Sequence, residues 1–169
     1  MEPTSGSGTI GPSGGKVATR DQPFAQAEIA VPAGALAATT AVEIIPSAPP
    51  PPSDVTLTGN VYCFNAARGL VTGSTATVTL LVPVYQPFPE AIYVQGPHGW
   101  SSIGGSVDQS TYLMSARTTA FGCFATGYKT PKPGAGPTIG GSTLPLLVAV
   151  LIAVVVLAGL PLALRRRRG

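Results

Sequence analysis

The chain has 169 residues, 44 % of them hydrophobic and only 10 % charged, a balance that excludes a solvated disordered chain. Gly (21) and Pro (18) together make about 23 % of it, close to the low-complexity range. Arg165, Arg166, Arg167 and Arg168 account for the formal charge of +3: residues 1–143 carry six basic and seven acidic groups, without the clustered Lys and Arg that a nucleic-acid partner requires.

In chain order, residues 1–13 are rich in Gly, Ser, Thr and Pro and read as a disordered start or linker. Met1 is followed by EPTSGSGTIGPSGG, which has neither the basic start nor the apolar run of a signal peptide. Residues 14–128 alternate short runs of Val, Ile, Thr, Tyr and Phe with Gly, Pro and Ser clusters, the pattern of an all-β, antiparallel β-sandwich. Expected strands are Gly15–Thr19, Ala27–Val31, Ala41–Pro46, Asn60–Asn65, Ala76–Val82, Ile92–Gln95, Trp100–Ile103, Tyr112–Arg117 and Phe121–Tyr128. The period of two is clearest where Ala76, Val78, Leu80 and Val82 oppose Thr75, Thr77 and Thr79. Pro49–Pro52 forces an extended polyproline stretch, either a rigid crossover between strands or a Pro-rich ligand.

Residues 129–143 (KTPKPGAGPTIGGST) read as a linker without apolar periodicity. Leu144–Leu164 is a run of 21 uncharged, apolar residues. As a helix it would be roughly 31 Å long, enough for a hydrocarbon core of about 30 Å. Pro145 falls in its first turn and Pro161 near its far end, both tolerated positions. The positive-inside rule places Arg165, Arg166, Arg167 and Arg168, in a tail of residues 165–169, on the cytoplasmic side and the body outside. The opposite topology, a tail-anchored protein with a cytosolic body, is the alternative. Since no leader is visible, an outward body implies the C-terminal part of a longer exported protein or a misassigned start.

Several strings in the body resemble the β-sandwich domain of zona-occludens proteins, netrin receptors and ankyrins, which also occurs in prokaryotic surface proteins. Ile29-Ala30-Val31-Pro32-Ala33-Gly34-Ala35-Leu36 is similar to the family's most specific string, a strand followed by Pro-x-Gly-Ala-Leu. Gly14-Gly15-Lys16-Val17 is similar to its opening strand, and Val61-Tyr62-Cys63-Phe64, Gly69 and Thr75–Val82 to the next pair. Ile92-Tyr93-Val94, Gly99-Trp100 and Ser106-Val107-Asp108 are similar to a later hairpin. Some members cleave themselves at His-Phe-Ser in the last strand. Here the matching run is Ala120-Phe121-Gly122, so the resemblance does not imply that activity.

Cys63 and Cys123 fall on two expected strands, and an even cysteine count in an exported chain favours a disulfide over two buried thiols. Cys123 is a nucleophile by type, but no base stands beside it. His98, the sole histidine, sits in a turn without neighbouring donors, so no metal site is expected. Trp100 reads as a core residue, and Tyr85, Phe88 and Tyr93, among Pro83, Pro87 and Pro89, as loop packing or a recognition patch. No catalytic residue and no cofactor are expected. The composite reading is a single-pass cell-membrane protein whose partners are the lipid bilayer and a protein or its own upstream domains. Its function would be a non-catalytic structural or interaction module, or alternatively a juxtamembrane stalk of a longer exported enzyme or adhesin.

Overall fold

Alternating apolar and hydroxyl-bearing side chains give this chain two-faced strands, which gain stability only by stacking their apolar faces. The computed structural model describes residues 2–20, 25–49, 54–84 and 88–130. None of these is helical. The strands are β1 (Gly6–Ile10), β2 (Gly15–Ala18), β3 (Ala27–Val31), β4 (Thr40–Ser47), β5 (Val55–Ala66), β6 (Ala76–Leu81), β7 (Ala91–Gly96), β8 (Gly99–Gly104), β9 (Ser106–Asp108), β10 (Leu113–Thr118) and β11 (Cys123–Lys129). They form two antiparallel sheets, one of six strands in the order β1-β4-β5-β11-β7-β8 and one of five in the order β2-β3-β6-β10-β9. The arrangement is β-sandwich-like.

The shared core takes Val42, Ile44, Tyr62, Phe64, Ile92 and Phe124 from the larger sheet and Ile29, Val31, Val78, Leu80, Met114 and Ala116 from the smaller. Each large apolar side chain so buried stabilises the fold by roughly 1.5–3 kcal/mol before entropy is counted. Phe64 and Phe124 meet edge to face with centroids 5.6 Å apart, the arrangement their ring quadrupoles favour.

At both lateral seams the chain itself steps from one sheet to the other. β1 turns into β2 through Gly11–Gly14, and β8 into β9 through Gly104 and Gly105. The edge strands are thus covalently joined across the seams, which blunts pairing with foreign strands.

Four features depart from the sequence reading. Gly6–Ile10, assigned by composition to a disordered start, pairs with β4 from Gly6↔Ile44 to Ile10↔Thr40. Glycine is needed there because a Cβ on Gly6 would collide with the Ala18 carbonyl of β2. β5 runs twelve residues rather than six, and β9 is an additional short strand. β4 and β5 are neighbours in one sheet, paired from Val42↔Ala66 to Ser47↔Val61, so the proline stretch between them joins adjacent strands rather than crossing over. Residues 50–53 lie outside the described residues, as do most of the linker, the expected membrane helix and Arg165, Arg166, Arg167 and Arg168. Among the described residues no helix is long and apolar enough to cross a membrane.

The registers give the stack two unlike ends. One gathers the β1–β2, β3–β4, β5–β6, β7–β8 and β10–β11 connections. The other gathers the β2–β3, β4–β5, β6–β7 and β9–β10 connections and both ends of the described chain, since the Gln26 side chain bonds Glu2 and the Thr130 N–H bonds Asp54. We call them the closed end and the groove end.

Candidate functional site at the groove end

The closed end is built from the Pro-Ala-Gly-Ala-Leu string. Pro32 ends β3 because it has no N–H for the ladder. The Ala35 N–H then bonds the Pro32 carbonyl at 3.2 Å around Gly34, whose φ of 80° makes a type II turn. The turn drops Ala35 and Leu36, each 2 % exposed, into the core, where Leu70 and Phe121 pack against the same cluster. Gly34 also donates to the Pro12 carbonyl at 2.8 Å, tying the turn to the β1–β2 connection. Gly14 makes that approach possible: its φ is 82°, and a Cβ there would lie 2.7 Å from the Val31 carbonyl oxygen.

Near this end Cys63 and Cys123 stand directly opposite each other on β5 and β11 and form a disulfide, with S–S 2.00 Å and Cα atoms 3.8 Å apart. The bridge therefore links adjacent strands of one sheet. It lies on the outer face, beside a second apolar cluster of Val55, Val61, Ala91, Tyr93, Trp100 and Ala125. Trp100 is buried as expected, though on that outer face rather than between the sheets. With its Sγ bonded, Cys123 has no thiol to serve as a nucleophile. His98 is exposed in the β7–β8 connection. Among the described residues no three His, Cys, Asp or Glu side chains gather as a metal site.

The groove end is organised by a polar residue that sequence reasoning did not single out. Gln26, 4 % exposed, accepts on Oε1 from Tyr62 Oη at 2.6 Å and from Asn60 Nδ2 at 3.1 Å, while its Nε2 donates to the Glu2 carbonyl at 3.0 Å. Its backbone N–H bonds Thr19 Oγ1, and its carbonyl accepts from Leu81. One side chain thus joins the N-terminal segment, β5 and the β2–β3 connection. A glutamine outside any period carries no sequence signal for this role.

Above that network lies an open groove of about 480 Å³, lined by Gln26, Asn60, Tyr62, Leu81, Val84 and Tyr112 among others. Its walls are mainly apolar. Tyr112 holds φ 57°, uncommon for a side chain of that size, and its carbonyl accepts from the Val82 N–H at 2.7 Å. Its ring stacks on Phe88 with centroids 6.4 Å apart and planes 16° from parallel. Of the aromatic patch read from the sequence, Phe88 is therefore at the rim, Tyr93 is buried on the outer face of the larger sheet, and Tyr85 lies outside the described residues.

Two ionisable groups toward this end are displaced from their ordinary range. Burial, then the nearby carboxylates of Glu90 and Asp54, push the Tyr93 phenol up. The Ser110 hydroxyl and N–H, donating to Asp108 Oδ1 at 2.6 and 2.9 Å, hold the Asp108 carboxyl down. The groove end thus sets an apolar rim over buried hydrogen-bonding groups. No family model matches the sequence, and no curated protein matches it.

Proposed function

We propose that this protein is a membrane-anchored, outward-facing β-sandwich module of the zona-occludens, netrin-receptor and ankyrin type, serving as a structural or protein-interaction element at a cell surface without catalytic activity. The observation that carries the reading is the 21-residue apolar run Leu144–Leu164 ended by Arg165, Arg166, Arg167 and Arg168, which suits a single transmembrane helix with its basic flank in the cytoplasm. The Cys63–Cys123 disulfide supports an oxidising compartment for the body. The resemblance is supported by the meeting of two of its strings, since the Gly34 turn and the Gly14 turn are hydrogen-bonded neighbours. Residues 131–143 would join the body to that helix.

A second reading makes the body a stalk at the C-terminus of a longer exported enzyme or adhesin. The two ends of the described chain leave at the same end of the stack, which favours a module mounted on its own anchor over a link in a linear series. External protease added to intact cells tests the topology with a C-terminal tag on the chain. Loss of the body with the tag protected in a membrane fraction is expected. A protected body with an accessible tag would reverse the orientation, and a tag in the soluble fraction would remove the anchor.

A further inference from the structure

Among the described residues four large hydrophobic side chains are exposed: Val71 at 41 %, Val84 at 65 %, Phe88 at 39 % and Tyr112 at 37 %. Three of the four stand together at the groove end. Val84 and Tyr112 line the same groove, and Phe88 stacks on Tyr112. Tyr112 keeps its place through the Val82 hydrogen bond despite a left-handed backbone, a costly conformation for a non-glycine residue. A contiguous apolar rim held at such a cost marks a contact surface.

The chain leaves the body at this same end: β11 finishes at Lys129, and Thr130 bonds Asp54 through its N–H and Thr56 through its hydroxyl. The following 13 residues, 131–143, span at most roughly 45 Å even fully extended, so an anchor at 144–164 would leave the end from which the chain departs within that reach of the bilayer. We infer that the Val84, Phe88 and Tyr112 rim docks shallowly into the lipid interface and stands the body upright on the membrane. The inference rests on the anchored reading above. Aromatic side chains with one polar edge favour the headgroup level, and Tyr112 presents such a ring beside the wholly apolar Phe88 and Val84. Among the described residues the connections at this end carry Glu2, Asp54, Glu90 and Asp108 against Arg20 and Lys129, so basic groups do not predominate there, the attraction is apolar, and zwitterionic lipid suits it better than anionic lipid.

The full chain, reconstituted into phosphatidylcholine vesicles with or without brominated acyl chains, tests this. Flotation with the vesicles reads the anchor. In the unmodified chain Trp100 is the sole tryptophan and lies toward the closed end, so its emission is expected to be the same in both vesicle types. In Phe88→Trp the added emission is expected to shift to the blue and to lose most of its intensity against brominated lipid, equally at low and high salt. Val84→Trp repeats the measurement if the first variant does not fold. A chain that floats while tryptophans at 84 and 88 stay unquenched overturns the docking, whether those residues face water or are shielded by a protein partner or a second copy. A chain that does not float overturns the anchored reading and the docking with it.

Discussion

The two ends of the stack solve the same problem by different means. At the closed end a proline, a left-handed glycine and two apolar residues seal the core, and a disulfide pins the strands nearby. At the groove end a buried glutamine organises hydroxyl, amide and carbonyl groups under an open, apolar rim. Apolar plugs gain from exclusion of water and tolerate no polar contact. A buried polar network holds only while every partner is satisfied, and it leaves surface free for contacts. The difference is between an end sealed by apolar packing and an end that leaves an apolar groove open.

Reduction of the Cys63–Cys123 bridge is the largest expected blow to the closed end. With a sequence separation of 60, the chain-entropy account gives a loss of roughly 4 kcal/mol, measurable by urea unfolding with and without reductant. Leu36→Ala should follow at roughly 3 kcal/mol, because it removes a fully buried plug whose surroundings cannot collapse. At the groove end Gln26→Leu should cost roughly 2 kcal/mol, by removing the buried Oε1 that accepts from the Tyr62 hydroxyl and the Asn60 amide. If that variant were as stable as the parent, the buried network would contribute nothing and the contrast between the ends would fail.

The outer-face Tyr93 sharpens the comparison by pH. Its folded pKa is raised, so the unfolded chain deprotonates first and stability falls as pH rises past the ordinary value of 10.0. Alkaline unfolding followed by circular dichroism should show this decline weakened in Tyr93→Phe. Val84→Ser, at a side chain 65 % exposed, should change stability by less than about 0.5 kcal/mol while removing apolar rim.

Much of the fold was legible in the chain. Ala27–Val31 forms β3 with the bounds its pattern implies, and the Thr/Val alternation after Thr75 forms β6, with Ala76, Val78 and Leu80 inward. Those strands show because one face is buried and the other is not. β1 did not show: a Gly-Ser-Gly-Thr-Ile strand lacks side-chain pattern, and its small residues are required by the close approach of β2. The candidate site was less legible still. Phe88 drew notice as an aromatic among prolines, but Gln26, Asn60 and Tyr112 come from separate loops and strands and meet only when the sheets stack.

Composition and spacing alone determined that this is an all-β body with a slightly acidic surface, joined to an apolar run and a basic tail, and they brought two cysteines forward as partners. Those properties are local, set by side-chain period and charge along the chain. The tertiary structure decided which strands became edges, that the disulfide lies within one sheet on its outer face, and that one end is sealed while the other carries a groove. Strand order and the meeting of distant loops depend on how two faces pack, and packing is a property of pairs of segments that no single stretch encodes.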